Sequence, residues 1–380
     1  MEKEIKELTC KTILVSVDQY PLNFLIFPHR LTANAYLGCQ HSCSYCYAKW
    51  YCKKDEIRVK INAPEILKGE LQKRIDKDKP KEPVCFGSIS DPYQPIERKY
   101  QLTRKMLEVC DKLSYPVFIV TKSDLAVRDK DVLSSLANRN LAAVNFTITP
   151  VEAKLLRKME PYAPANQKRL EAIRALTQAG IPCNLYLSPI FPILSDNLLN
   201  YYIKRAAESG ANCCSAIFLK IRPVIWNGVK QFLQSNTRLL IKELDSLVIQ
   251  GKPPDLVAKY EELYFKTGSK DLSGYRLPEL SYRRKTMESI AETCKQNEMC
   301  FTAEEFIDLW TIPFSDCICI NGWNAPTIFD ILEFTTCQDS KNVSKEAVIE
   351  YVKKHFALEP SWERLMNKYW DKVAGFLDEK

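Results

Sequence analysis

Between residues 84 and 221 the chain alternates short apolar runs with longer amphipathic stretches, and that order prescribes a parallel sheet with helices packed outside it. Strands are expected at about 84–89, 116–121, 142–148, 182–188 and 215–221, and helices at about 64–77, 101–113, 127–139, 165–179 and 195–209. A further strand leads into Asn34-Ala-Tyr-Leu-Gly38. Upstream of it, the alternating stretch from Thr12 to Val17 and the breaks at Pro21 and Pro28 read as an N-terminal extension. Six βα-type units joined by right-handed crossovers make an open or closed barrel. In such barrels the chemistry sits at the carboxyl ends of the strands.

Those strand ends are polar. The second strand runs into Ser88, Ser90, Asp91-Pro-Tyr93 and Glu97, the third into Thr121-Lys122-Ser123, and the fourth contains Asn145, Thr147 and Thr149. The fifth carries Asn184 and Ser188-Pro-Ile190, and the sixth ends at Lys220 and Arg222. Any one of these is ordinary turn chemistry, because Asp-Pro and Ser-Pro open turns. Five together predict a polar cavity at one rim.

Just past the first strand lies Cys39-Gln-His-Ser-Cys43-Ser-Tyr-Cys46. Three thiolates at offsets of four and three on one loop can grip one face of a cluster. A [4Fe–4S] cube normally takes four cysteinates, so three leave one iron open to a ligand from outside the protein. A structural zinc site would more often show paired C-x-x-C knuckles. A disulfide is disfavoured in a reducing compartment.

The stretch from Ala35 through Cys39, Cys43, Tyr45 and Cys46 to Ala48 resembles the cluster loop of radical S-adenosylmethionine (SAM) enzymes, and within them the spore photoproduct lyase-like branch. The likeness extends through Ser90-Asp-Pro-Tyr-Gln-Pro-Ile-Glu97, Thr121-Lys-Ser123 with Arg128-Asp129, and Glu160-Pro161 with Arg169, and covers roughly residues 30–300. It implies a partial (β/α)6 barrel of parallel strands with a mostly helical C-terminal extension. It also implies that SAM binds the open iron and is cleaved by one electron to methionine and a 5′-deoxyadenosyl radical. The implied cofactors are thus a [4Fe–4S] cluster held by Cys39, Cys43 and Cys46, and SAM; the implied partner is an electron donor such as flavodoxin or ferredoxin.

Candidate SAM contacts follow from the same resemblance. Tyr45 would lie near the adenine. Lys122 and Asp91 belong to the matched strand ends, while Glu160 and Arg169 are candidates for the ribose hydroxyls and the methionine carboxylate. A surface ion pair is the competing reading of those two. The glycine-glycine-glutamate motif of many such enzymes is replaced by Gly87-Ser-Ile-Ser-Asp91, which leaves the ammonium contact to Ser88, Ser90 or backbone carbonyls. The fifth-strand glycine motif is replaced by Ser188-Pro-Ile190-Phe191-Pro192, where apolar walls for adenine remain available. Cys85, on the second strand, would return a hydrogen atom to a substrate radical if its thiol points inward; a buried strand cysteine is the alternative.

At 380 residues the chain exceeds one ordinary core. The expected division is an extension at 1–30, the barrel at 31–225, a helical tail at 226–300 and an appendage at 301–380. Within the appendage Thr302-Ala-Glu-Glu305 reads as a capping box opening a helix, 344–356 as a helix, and the apolar recurrence from Trp362 to Leu377 as another. No run of 18 uncharged apolar residues and no apolar leader is present, so no membrane partner and a cytoplasmic protein are expected, with most of the 15 cysteines reduced. A net charge of +7 makes a polyanion an easy partner. The resemblance points to a nucleic-acid substrate, for repair or modification, presented unpaired, with Tyr93 to stack and Lys122, Arg222, Arg283, Arg284 and Lys285 to meet phosphates. A small metabolite or peptide substrate is the alternative, and a cluster carrier without catalysis the alternative of another class. Cys294, Cys300, Cys317, Cys319 and Cys337 do not form a strong metal-ligand pattern, and a second cluster or a zinc held by them is the alternative to plain thiols.

Overall fold

The computed structural model describes residues 3–16, 31–50, 56–79, 81–236, 255–268, 275–303 and 344–355. Eleven strands are present among them: β1 Glu4–Leu8, β2 Leu14–Ser16, β3 Leu31–Ala33, β4 Tyr36–Leu37, β5 Glu56–Lys60, β6 Val84–Phe86, β7 Val117–Thr121, β8 Ala142–Ile148, β9 Cys183–Ile190, β10 Cys213–Phe218 and β11 Cys300–Ala303. The main sheet runs β2-β3-β6-β7-β8-β9-β10-β11, and all its pairings are parallel except the antiparallel β2–β3 edge. The strands follow one another without a switch of direction, so the sheet is a singly wound, partial barrel. The expected six parallel strands are all there, within a few residues of their expected bounds.

Each strand has two different faces. Val84, Phe86, Val117, Ile119, Val144, Phe146, Leu185, Leu187, Cys214 and Ala216 join the large core under the helices. Cys85, Phe118 and Ala143 form a separate small cluster on the opposite face, which is the interior of the barrel. Side chains alternate along a strand, so Asn145, Thr147, Asn184 and Ser215 share that interior face.

The outer helices bear out the amphipathic reading: Ala63–Asp76, Leu102–Leu113, Lys130–Ala137, Asn166–Thr177 and Leu199–Glu208. The short Ala153–Met159 helix was not expected, because its seven residues are too few to show a period. Two further differences come from pairing at a distance. Thr302 and Ala303 do not open a helix; they pair with Ser215 and Ala216 as a seventh parallel strand. The charged segment Glu4–Leu8 pairs in parallel with Glu56–Lys60, which also pairs with β4, making a three-stranded sheet beside the cysteine loop. Its side chains are mostly exposed, so the usual buried alternation is missing.

Beyond the barrel lie the helices Pro223–Ser235, Leu256–Glu261, Leu280–Gln296 and Lys345–His355. The expected helix from Trp362 to Leu377 and Cys317, Cys319 and Cys337 fall outside the described residues. No helix among the described residues is long and apolar enough to cross a membrane.

Candidate radical centre

The cysteine loop is held by the segment that follows β6. Ser90 Oγ donates to the Tyr36 carbonyl at 2.6 Å. Gln94 accepts from the Gln40 backbone at 2.9 Å and donates to the Gly38 carbonyl at 3.1 Å, while Gln40 accepts from the Ile96 backbone at 2.5 Å. Glu97, wholly buried, accepts from the Tyr36 hydroxyl and from Arg128 at 2.7 Å, and Arg128 also binds Asp129. The far side is tied down by the Ser44 amide on the Met159 carbonyl at 2.8 Å, and Lys3 reaches the Cys39 carbonyl at 2.5 Å. Most of the polar residues from Ser90 to Glu97 therefore brace the loop rather than face open space.

Two glycines make this close approach feasible. Gly38 has φ +86°, and a Cβ there would stand 2.5 Å from the Glu56 carbonyl oxygen. Gly87 has φ +105°, and a Cβ would meet the Val120 carbonyl oxygen at 2.2 Å. Other residues would be strained at both angles and would clash with backbone.

Cys39, Cys43 and Cys46 are reduced thiols, Cys43 buried and the other two half-buried. Cys39 and Cys46 both lie within electrostatic reach of Cys43. Burial, then the Glu160 charge, holds the Cys43 thiol well above its ordinary range. For Cys39 burial works in the same direction, but His41 outweighs it and brings the thiol below its ordinary range. His41 is 2% exposed, with Nδ1 3.4 Å from Asp91 and a hydrogen bond to Cys39. Burial alone would lower its pKa; the Cys39 and Asp91 charges raise it to about 10. Asp91 itself is fixed by Thr121 Oγ1 at 2.7 Å and the Lys122 amide at 2.7 Å.

The donor set fits a cluster. Three thiols share one braced loop, and thiolates are the donors that hold iron–sulfur clusters.

Beside the loop stands a second buried group. Tyr45 donates to Glu160, Thr149 Oγ1 donates to the same oxygen at 2.6 Å, and Arg169 binds the other. Lys122 Nζ lies 3.7 Å from Glu160, 3.3 Å from the Ser188 carbonyl and 5.9 Å from the Tyr45 ring centre. Burial would raise the Glu160 pKa, yet Arg169, Lys122, Thr149 and Tyr45 bring it to about 2. Both side chains of the Glu160–Arg169 pair are fully buried, so this is no surface ion pair. Arg169 also binds the Thr147 and Pro164 carbonyls at 2.9 Å each.

The remaining candidates are spread out. Ser88 stays half-buried at the rim, accepting from Asn34 at 2.9 Å. Ser188 is half-buried above the interior face, while Ile190 points into the large core. Phe191, which sequence reasoning named only within a run, packs edge-on to Tyr45 at 5.3 Å. Cys85 faces the interior, in the lowest layer with Phe118 and Ala143. Tyr93 and Arg283 are corrected: both are fully buried, so Tyr93 offers no stacking face and Arg283, bonded to the Pro278 carbonyl at 2.9 Å, meets no phosphate. Arg222 is half-buried over the Tyr275 ring at 4.0 Å, Arg284 is half-buried and Lys285 exposed.

Residues 34–204 match the radical SAM superfamily. An uncharacterized protein of Methanocaldococcus jannaschii is 37% identical over 170 residues, 43% of this chain and 61% of that protein, so the match spans under two thirds of that relative's length. An uncharacterized protein of Mycobacterium tuberculosis is 28% identical over 297 residues, 75% of this chain and 78% of that one. Among solved structures, spore photoproduct lyase complexed with dinucleoside spore photoproduct superposes with a TM-score of 0.56 at 16% identity, covering 78% of this chain and 82% of that one.

Proposed function

We propose that this chain, whose residues 34–204 match the radical SAM superfamily, binds a [4Fe–4S] cluster at Cys39, Cys43 and Cys46 and uses SAM to take a hydrogen atom from a nucleic-acid substrate. When bound, the reduced cluster supplies one electron to SAM and so provides a carbon radical at the barrel rim. The observation that carries the reading is the three-thiol loop, braced by Ser90, Gln94 and Glu97 at the carboxyl ends of a parallel barrel.

The chain's own residues position and shield. The Glu160 network fixes the Tyr45 ring beside the thiols, with Phe191 closing its edge. Lys122, anchored by Glu160 and the Ser188 carbonyl, puts a cation at the mouth where an anion is met. His41 holds Cys39 from behind. A one-electron donor such as flavodoxin or ferredoxin supplies the reductant. The net charge of +7 and fold-level analogy with a lyase that holds a dinucleoside support a nucleic acid as substrate.

The test is anaerobic reconstitution with iron and sulfide, reduction with dithionite, addition of SAM and chromatographic assay for 5′-deoxyadenosine. Wild-type protein should form it and Cys43→Ala should not. An iron-replete protein that cleaves no SAM, with or without single-stranded DNA or RNA, would overturn the proposal.

A further inference from the structure

The short helix Ala153–Met159 covers the cysteine loop with one face and presents unneutralised charge on the other. Leu155, Leu156 and Met159 pack with Cys43 and Tyr45 in one buried cluster, and the Met159 carbonyl accepts from the Ser44 amide. Lys154, Arg157 and Lys158 lie on the opposite side and are exposed. Lys158 Nζ donates to Asn236 at 2.6 Å, which ties this helix to the end of Pro223–Ser235. The Lys154 and Arg157 side chains make no ion pair or hydrogen bond among the described residues. Of the two carboxylates that flank the helix, Glu160 is buried on Arg169 and Glu152 is half-buried within electrostatic reach of Tyr202.

Helix stability does not account for this face. Cations suit the last turn, where Arg157 and Lys158 stand, but the dipole disfavours Lys154 in the first turn. Tyr162, three residues beyond the helix, is an aromatic left 59% exposed. The charges are compact, since helix residues three and four apart are neighbours, with about 5–6 Å between Cβ atoms. They form a spot on a convex surface, whereas single strands of nucleic acid are tracked by basic grooves. Arg and Tyr are the side chains that anchor protein–protein contacts, and redox encounters use small interfaces. A helix is about 10–12 Å across with its side chains, so a partner seated here stands one such layer from Cys43.

We infer that Lys154, Arg157 and Tyr162 form the docking face for an acidic one-electron carrier protein that reduces the cluster. The inference rests on the proposed function and names the surface at which its electron donor meets the chain. One electron leaves the carrier, which is oxidised, and crosses the layer of Leu155, Leu156 and Met159 to the cluster, which is reduced; no proton or group moves with it. Opposite charge on the two surfaces steers the encounter and fixes its orientation.

The experiment pairs reconstituted full-length protein with a flavodoxin of strongly negative net charge. It reads binding of the labelled flavodoxin by fluorescence anisotropy, and the rate at which reduced flavodoxin bleaches the iron–sulfur absorbance in stopped flow. Lys154→Glu with Arg157→Glu should weaken binding and slow reduction about tenfold at low salt. The deficit should close in about 1 M salt, where the Debye length is about 3 Å. Lys154→Gln with Arg157→Gln should give a smaller loss of the same sign, and serves where charge reversal unsettles the helix. Tyr162→Ala should weaken binding severalfold at every salt concentration, because its contact is not ionic. Flavodoxin binding and reduction that neither pair of substitutions alters would overturn the inference. So would a loss of affinity for single-stranded DNA or RNA with flavodoxin binding intact, which would give this face to the substrate. Photoreduced 5-deazariboflavin, a small reductant that needs no docking face, separates the two readings. Wild type that forms no 5′-deoxyadenosine with it sinks the proposed function, whereas success with it beside an unaltered flavodoxin response sinks only the docking face.

Discussion

At the residue scale, the loop chemistry depends on groups that are not ligands. His41 sits between Cys39 and Asp91 with almost no solvent contact. Hydrogen bonds to ligating sulfurs are among the factors that set cluster potentials. His41→Phe should therefore bind the same amount of iron but make the cluster harder to reduce. At a fixed applied potential the reduced-to-oxidised ratio should fall about tenfold, about 59 mV for a one-electron couple, measured by redox titration with EPR detection. An unchanged midpoint potential would reduce His41 to a packing residue. Glu160 gives a stability prediction. Its carboxyl is held at about 2, below the unfolded range, so ionisation stabilises the fold above that range and the contribution fades as pH falls towards about 2. Glu160→Gln strands a buried guanidinium and should cost about 3–5 kcal/mol at neutral pH in denaturant titration. The gap from wild type should shrink at acid pH; a gap that does not depend on pH would show that the charge is not what matters.

At the element scale, the segment after β6 is a clamp on the strand β4 and the loop behind it. Gln94 alone closes both edges of the Gly38–Gln40 turn. Gln94→Ala leaves the Gly38 carbonyl and the Gln40 amide without those partners, at about 1–3 kcal/mol each where buried. Far-UV circular dichroism should stay that of wild type, because the barrel core does not include this side chain. Iron retained after reconstitution and desalting should fall severalfold; full retention would mean that the bonds from the Ser44 amide and the Lys3 ammonium suffice to hold the loop. The element pattern was legible from sequence where periods are long: the barrel helices appear within a few residues of expectation. It failed for Glu4–Leu8, whose side chains are exposed, and for β11, where Thr302 mimics a helix cap until its pairing with Ser215 is seen.

For the whole molecule, the barrel core is built from aliphatic and aromatic side chains on strands and helices, and none of the three loop cysteines belongs to it. Replacing Cys39, Cys43 and Cys46 together with alanine should remove iron binding and its visible charge-transfer absorbance while the protein still folds. Its thermal midpoint should lie within about 4 °C of that of the unloaded wild type, the upper end of the shift that about 1 kcal/mol produces in a domain of about 150–250 residues. Loss of cooperative unfolding in this variant would show that the loop is part of the folding unit. A single buried cluster also gathers Cys43 and Tyr45 with Val151, Leu156, Met159, Phe191 and Tyr260, so the loop rests on a second apolar layer contributed from far along the chain.

By itself the sequence determined the parallel order of strands, the thiols and the polar rim, because each is written in local spacing: a period of two, a period near 3.6, or three cysteines within one loop. Only the tertiary structure decided which polar groups face one another. Ser90 and Gln94 meet residues more than fifty positions upstream, Glu160 collects Tyr45, Lys122, Thr149 and Arg169, and Asn145 meets Asn184 across two strands. Such partners are fixed by strand register and by how deep each strand end lies in the barrel, and neither quantity has a local signature.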